Sequence, residues 1–115
     1  MYTLLVLYGR PADPGEFRNY YESVHVPIAR KIPDVLASRY SLNVTAAEGT
    51  SQFAAMFEAD FESSDKLFAA LASPEGQAAQ ADVANFATGG VQIFHFEPVT
   101  AHPASPAYTQ DGGQQ

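Results

Sequence analysis

The fold of this chain is indicated first by residues 20–33, which read Tyr-Tyr-Glu-Ser-Val-His-Val-Pro-Ile-Ala-Arg-Lys-Ile-Pro. Through this stretch and just before it, apolar residues recur at three- and four-residue steps, at Phe17, Tyr20, Tyr21, Val24 and Ile28. That spacing predicts an amphipathic helix whose apolar stripe covers a sheet. Pro27 lacks an amide hydrogen and its ring clashes with the carbonyl four residues earlier, so the helix should end, kink or restart near Val26. His25 therefore lies at an interrupted helix end.

The patterns on both sides of this helix predict the element order βαββαβ. The run Tyr2–Tyr8 is typical of a central strand, and Asp13 followed by Pro14 is typical of a helix start. The later elements are two strands joined as a hairpin, a two-part helix and a last strand, over residues 35–44, 53–61, 63–86 and 91–97. With right-handed crossovers this order gives an α+β, ferredoxin-like fold, a four-stranded antiparallel sheet with both helices on one face.

Length and composition limit the domain organisation and the class of partner. The 115 residues, 46% of them apolar, predict one domain over 1–97 followed by a Pro-, Gly- and Gln-rich tail over 98–115. A net charge of −7 without a cluster of basic residues argues against nucleic acid as a partner. No apolar stretch is long enough for a signal peptide or a membrane span, so we expect no membrane association and a cytoplasmic location.

The sheet face opposite the helices is the reason to expect a homodimer. In a βαββαβ fold that face has no cover within the chain, and several of its side chains here are aromatic or aliphatic. A soluble monomer rarely exposes so much apolar surface, so a second copy should cover it. The tail, in which Tyr108 is the one large anchor, is expected to be flexible or to pack on that partner subunit.

Several motifs resemble the EthD family, named for ethyl tert-butyl ether degradation, over roughly residues 1–97. They are the opening strand Leu4–Tyr8, Phe17-Arg18-Asn19-Tyr20-Tyr21 with His25-Val26-Pro27-Ile28-Ala29, and Ser73-Pro74-Glu75-Gly76-Gln77 with Asp82-Val83-Ala84-Asn85-Phe86. The resemblance implies a dimeric α/β barrel with a small-molecule pocket between sheet and helices. Proteins with this barrel include cofactor-free monooxygenases, lactone isomerases, haem-binding enzymes and polyketide decarboxylases or dehydratases, so the fold does not define one reaction.

Two residues are the candidates for catalysis. His25 matches the helix-end histidine of the family, and imidazole is the side chain that titrates near neutral pH without tuning. The alternative is a purely structural hydrogen bond at the broken helix. Asp82, placed by the family match, is expected to orient His25 and fix its tautomer, as a carboxylate commonly does behind a catalytic imidazole. An acidic residue late in a helix can equally face water.

Four further residues are candidates for contact with a substrate: Tyr20, Tyr21, Arg39 and His95. The two tyrosines could offer a phenol to the pocket, or be ordinary core residues of the helical stripe. Arg39 could hold an anionic group, or form a solvated or interfacial salt bridge. His95, on the same face of its strand as Val91 and Ile93, could reach the pocket, or be a core or interface histidine whose hydrogen bonds are satisfied.

The sequence favours chemistry without a cofactor. The histidines have no short metal-ligand spacing, neither His25 nor His95 is distinguished as a haem ligand, and no glycine-rich phosphate loop follows a strand. We therefore predict no metal and no cofactor. The leading hypothesis is a homodimeric enzyme that transfers a proton on a small, apolar, oxygenated compound, aromatic or polyketide-like, in decarboxylation, dehydration, isomerisation or oxygenation. The alternatives are a non-catalytic carrier, or an accessory protein that works with a partner oxygenase in ether or xenobiotic degradation.

Overall fold

A computed structural model describes residues 1–106 of the chain. Its strands are β1 (Tyr2–Gly9), β2 (Ala37–Ser41), β3 (Phe53–Phe61) and β4 (Val91–Phe96). Its helices are α1 (Pro14–Tyr20), α2 (Val26–Ala29), α3 (Ser64–Ala72) and α4 (Pro74–Asp82), with a π turn over Tyr21–His25 and a 3₁₀ turn over Val83–Asn85. None of these helices is long and apolar enough to cross a membrane.

The strands form one antiparallel sheet in the order β2-β3-β1-β4. The helices pack on one face of it, so the ferredoxin-like α+β prediction is confirmed. On β1, Leu4, Val6 and Tyr8 face the helices and are buried. The apolar core lies between this face and the helical layer, which contributes Phe17, Tyr21, Val26, Leu67, Ala70 and Phe86.

Side-chain caps start three of the helices where the sequence indicates. Asp13 accepts a hydrogen bond from the Glu16 N–H at the start of α1, at 3.0 Å. Ser63 accepts from Lys66 at the start of α3, and Ser73 accepts from Gly76 at the start of α4. Each cap gives a partner to an amide that has none within the helix. Ser73 also separates α3 from α4, so the two-part helix is confirmed.

The interruption before Pro27 takes the form of a π turn. The Val26 N–H bonds to the Tyr21 carbonyl, five residues earlier, and α2 then continues through Pro27 with no break in helical backbone angles. The wider turn accommodates the missing amide and the ring of the proline. Its last residue is His25, so the histidine lies inside a continuous helical arm and not at a free end.

The second strand is shorter than the pattern over residues 35–44 predicts. It begins at Ala37, three residues after Asp34, whose left-handed backbone has a φ of 64°. It ends at Ser41, whose hydroxyl accepts from the Asn43 N–H and interrupts the regular ladder, although the Val44 N–H still donates to the Ala54 carbonyl of β3 at 3.1 Å. The apolar pattern beyond these points comes from Val35 and Leu42, which pack on the core from outside the strand.

The face opposite the helices, called the open face below, has no cover in the described part of the chain. Its apolar side chains lie on three neighbouring strands: Leu5, Leu7, Met56, Phe94 and Phe96. Phe94 is 45% exposed. After β4, residues 98–106 form neither helix nor strand. Tyr108 and the rest of the predicted tail lie outside the described residues.

Candidate functional site

His25 is buried between the two helical arms. Only 5% of it is exposed. Its ring lies against Phe86, with 4.6 Å between ring centroids, and against Tyr21, at 5.3 Å. The π turn carries this histidine inward, while Phe86 follows the 3₁₀ turn after α4. Two segments that are distant in sequence therefore fix the ring.

Asp82, the last residue of α4, holds the histidine in place. Its Oδ2 lies 2.9 Å from His25 Nδ1. Its Oδ1 accepts from the Tyr20 hydroxyl at 2.6 Å and from Asn85 Nδ2 at 3.0 Å. The carboxyl is 8% exposed. One carboxylate thus joins the first helical arm, through Tyr20 and His25, to the second.

The protonation of this network follows from its hydrogen bonds. Burial raises the pKa of the Asp82 carboxyl, but the hydrogen bonds from Tyr20, His25 and Asn85 outweigh burial and leave that pKa below its usual range. An ionised carboxylate only accepts, so His25 Nδ1 carries a proton. In the neutral ring Nε2 is then an acceptor, and it has no hydrogen-bond partner within residues 1–106.

A small cavity of about 80 Å³ lies beside His25, between the sheet and the helices. Its wall is mainly apolar: Leu4, Val6, Ile32, Phe57, Leu71 and Val83. The polar side chains on the wall are Tyr8, His25 and Gln80. Gln80 is already engaged, since its amide donates to the Leu71 and Gly76 carbonyls at 2.8 and 3.0 Å. The groups left to meet a ligand are His25, Tyr8 and the side-chain oxygen of Gln80, which can only accept.

A larger cleft, of about 510 Å³, opens between the β1–α1 loop and the end of β2, beside Arg10 and Arg18. Neither His25 nor Asp82 lines it. Its size does not outweigh the chemistry of the smaller cavity, where a buried histidine is hydrogen-bonded to a carboxylate. We take the His25 cavity as the candidate site.

The structure brings four of the six candidate residues together and places two elsewhere. Tyr20, Tyr21, His25 and Asp82 form one cluster, in which Tyr20 bonds to Asp82 and Tyr21 packs on His25. Arg39 belongs to the open face and pairs with Glu58 at 2.8 Å and Asp60 at 3.2 Å.

His95 also lies apart from the cavity. Its Nδ1 is 2.6 Å from the Tyr2 hydroxyl, and its ring packs on Phe68. The arrangement gives this histidine a hydrogen-bond partner within its own surroundings. Its role in substrate contact stays a prediction, and nothing in the geometry of the cavity supports it.

Sequence reasoning did not assign roles to Asn85 and Tyr8. Asn85 lies three residues after Asp82, a spacing that places the two side chains on the same side of a helical turn. Tyr8 lies on the same face of β1 as Leu4 and Val6, so its position on the helix-covered face was readable. Its place on the cavity wall depends on how α4 packs, which no local pattern shows.

Comparisons with known proteins agree with this architecture. The EthD domain family model matches residues 10–90. An uncharacterized 11.0 kDa protein from the thcB-thcC intergenic region of Rhodococcus erythropolis is 41% identical over 105 residues, covering 90% of this chain and 100% of that protein.

Solved structures give the same result. An EthD family protein of Bacillus halodurans is 29% identical, with a TM-score of 0.81, covering 86% of this chain and 99% of the other. SnoaB, a cofactor-independent oxygenase from Streptomyces nogalater, shares the fold at 14% identity and a TM-score of 0.63, over 90% of this chain and 97% of its own. The match over most of the chain confirms the resemblance seen in the sequence: this chain belongs to the EthD family.

Proposed function

We propose that this protein is a homodimeric enzyme that transfers a proton on a small, apolar, oxygenated compound without a cofactor, with His25 as the acid–base group. The observation that carries the proposal is the hydrogen bond between His25 Nδ1 and the Asp82 carboxylate at the wall of an apolar cavity. A general base needs a fixed tautomer and a free second nitrogen, and this arrangement supplies both.

The surroundings of His25 suit this role in two ways. Asp82 stabilises the imidazolium that forms when Nε2 takes a proton, because the carboxylate is held ionised by Tyr20 and Asn85. The apolar wall keeps water from competing for that nitrogen. Tyr20 and Asn85 act through Asp82 in this scheme, so they are positioning residues.

The size of the cavity limits the size of the substrate group that can enter it. A dry cavity that binds benzene in another protein measures about 150 Å³, roughly twice the present volume. The part of the substrate that enters the cavity is therefore smaller than a benzene ring. The rest of a longer compound, such as an aromatic polyketide, extends towards Ile93, which lines the cavity and is 52% exposed.

The relatives support the absence of a cofactor by analogy. SnoaB is a cofactor-independent oxygenase with the same fold, and a Deinococcus radiodurans structure with that fold is described as a putative antibiotic biosynthesis monooxygenase. Both are below 20% identical to this chain, so they favour the general chemistry and leave open which of decarboxylation, dehydration, isomerisation or oxygenation occurs.

The dimer is part of the proposal. Two relatives with this fold, from Thermobifida fusca and Bacteroides fragilis, are described as dimeric. The open face supplies the surface, since its apolar side chains have no cover in residues 1–106. Burial of such a face against its copy removes apolar area from water, which is the main favourable term in obligate dimers.

The test is deuterium exchange of ketone α-protons in D₂O, followed by NMR with cyclopentanone and beta-tetralone as probes. We expect the native protein to accelerate exchange and His25→Gln to lower the accelerated rate by about 100-fold or more, the usual contribution of a general base. Asp82→Asn should lower it less. His102→Gln, which removes an exposed histidine after β4, is the matched control.

Two results would contradict the proposal. Equal exchange rates for native protein and a folded His25→Gln variant would exclude His25 as the base. Binding of the ketones without any accelerated exchange would favour the non-catalytic carrier instead. The fold of each variant is checked beforehand by circular dichroism.

A further inference from the structure

The wall of the cavity beside His25 includes a second polar group, which has no role in the proposed reaction as described so far. Tyr8 lies on the cavity wall, is 2% exposed, and donates to no group within residues 1–106. The amide nitrogen of Gln80, another side-chain donor there, already donates to two backbone carbonyls. A buried hydroxyl at the edge of a ligand cavity is expected to have a partner, so the Tyr8 hydroxyl is the natural contact for a ligand oxygen.

Tyr21, whose ring packs on that of Tyr8, supplies an independent observation. Its side chain is wholly buried, and its hydroxyl has no hydrogen-bond partner in the described part of the chain. Burial chiefly raises the pKa of Tyr21 and the neighbouring Tyr8 hydroxyl raises it further, so the two hydroxyls lie close together, although no hydrogen bond of standard geometry joins them. Buried polar atoms without partners are rare, and those that occur cluster at functional or hydrated sites.

We propose that Tyr8 is the residue that binds the substrate oxygen, donating a hydrogen bond to a carbonyl or phenol in the cavity while the Tyr21 hydroxyl donates to Tyr8. This inference rests on the proposed function, because it uses the same cavity and gives its ligand a chemical class. The chain Tyr21 to Tyr8 to ligand satisfies both hydroxyls at once. Hydrogen bonds in series also strengthen one another, which makes Tyr8 a better donor.

The electrostatics make Tyr8 a donor and not a base. Burial chiefly raises its pKa to about 12, against a smaller opposing effect of Tyr21, so the phenol keeps its proton near neutral pH. His25 and Tyr8 then have complementary tasks. His25 Nε2 removes the proton from the carbon beside a carbonyl, the C–H electron pair becomes the enolate, and the negative oxygen accepts the hydrogen bond from Tyr8. Return of the proton from His25 reverses the step.

The position of Tyr8 is fixed by its aromatic neighbours. Its ring centroid lies 5.7 Å from Phe17, 5.5 Å from Tyr21 and 5.6 Å from Phe86, two of them in edge-to-face contact. A donor that is already oriented before the ligand arrives stabilises developing charge without reorganisation. The rings also keep Tyr8→Phe well packed, which makes that variant a fair test of the hydroxyl alone.

The experiment measures binding and not turnover. Fluorine NMR gives the dissociation constants of para-fluorophenol, which offers an oxygen to Tyr8, and of para-fluorotoluene, which has the same size and no oxygen. In Tyr8→Phe we expect affinity for the phenol to fall about fivefold, the effect of one hydrogen bond, with affinity for the toluene unchanged. Tyr21→Phe should produce a smaller loss in the same direction. Tyr2→Phe, which removes a hydroxyl bonded to His95, is the matched control.

Each outcome decides the question. A phenol-specific loss in Tyr8→Phe supports the proposal, even if His25→Gln leaves ketone exchange unchanged and the acid–base role fails. Equal losses for both probes would mean that the ring only packs, and would overturn it. Unchanged phenol affinity in Tyr8→Phe, or no binding of either probe to the native protein, would overturn it as well.

Discussion

Asp82 fixes the arrangement of the side chains in the candidate site. Its two oxygens accept from three side chains, of which Tyr20 and His25 lie on the first helical arm and Asn85 follows α4. The cost of burying the carboxylate is offset by these hydrogen bonds, which are stronger than neutral ones because the acceptor is charged. Loss of the charge therefore affects both the orientation of His25 and the joining of the two arms.

Replacement of Asp82 should be visible in the pH dependence of stability. The folded pKa of this carboxyl lies below its usual value of 3.8, so its contribution is present above that value and is lost as pH falls through the lower folded pKa. In Asp82→Asn the free energy of unfolding near pH 7 should fall by about 1–3 kcal/mol, because buried donors lose their acceptor. Further loss on acidification should be smaller than in the native protein.

Urea unfolding at about pH 7 and about pH 3 measures both effects. Asp65→Asn, in the first turn of α3, is a control for the loss of one carboxylate outside the network. Equal loss of stability on acidification in the native protein and in Asp82→Asn would contradict this prediction. It would mean that the lowered pKa of Asp82 does not contribute to the free energy of unfolding and that the network does not hold the two arms together.

The residues of the site differed in how far the sequence could predict them. His25 could be predicted as a site residue because an imidazole before a proline-interrupted helix is unusual in both chemistry and position. Asp82 came from the family resemblance, since an acidic residue late in a helix has no local signature. Tyr8 and Asn85 acquire their surroundings only when the arms pack on the sheet, and the alternation that made Arg39 a candidate could not show that it pairs with Glu58 and Asp60.

At the scale of elements, the corner between α3 and α4 forms part of the cavity wall, through Leu71 and Gly76. Gly76, in the first turn of α4, lies directly against α3. A Cβ at this position would lie 2.1 Å from the Ala70 carbonyl oxygen and 2.8 Å from the Leu71 Cα. Backbone atoms cannot yield as a flexible side chain does. The close approach therefore requires glycine, although its backbone conformation is an ordinary helical one.

Gly76→Ala should separate α4 from α3 and destabilise the protein by about 2–3 kcal/mol, the upper part of the range for overpacking. Because α4 also carries Asp82, the variant should weaken the hydrogen bond to His25. Gly15→Ala is the matched control: its nearest neighbour would be 3.6 Å away, and alanine favours a helix by up to about 1 kcal/mol. Thermal unfolding of both variants is the measurement, and equal stability of the two would contradict the packing argument.

The elements themselves were largely readable from the sequence, and the exceptions have local causes. Periodicity and caps predicted β3 at its observed bounds and the division at Ser73. The pattern over residues 35–44 overstated β2 because residues outside a strand can also pack on the core. The interruption at Pro27 was expected, but its form was not: a π turn and a kink can both accommodate a proline that donates no amide hydrogen bond, and only packing decides between them.

At the scale of the whole molecule, the two faces of the sheet differ in what covers them. The helix-covered face contains the core and the cavity. The open face combines half-buried Leu5 and Leu7 with exposed Phe94 and Phe96, next to the charged group of Arg39, Glu58 and Asp60 on β2 and β3. An apolar centre beside a polar margin is the usual anatomy of a protein interface. This distribution, more than the likeness to dimeric relatives, is why we expect self-association.

A charge in the apolar part of the open face should dissociate the dimer. Phe94 pairs with Leu5 across β4 and β1, so in Phe94→Glu a carboxylate replaces a ring of the apolar patch and is left without a partner in the interface. We expect the native protein to be a dimer at micromolar concentration, and Phe94→Glu to weaken association by at least about 100-fold, roughly 3 kcal/mol. Light scattering and analytical ultracentrifugation measure both. Ile93→Glu is the matched control, since the neighbouring side chain lies on the opposite face of the same strand and is exposed to a similar degree. A monomeric native protein, or equal dissociation in the two variants, would contradict the assignment of this face.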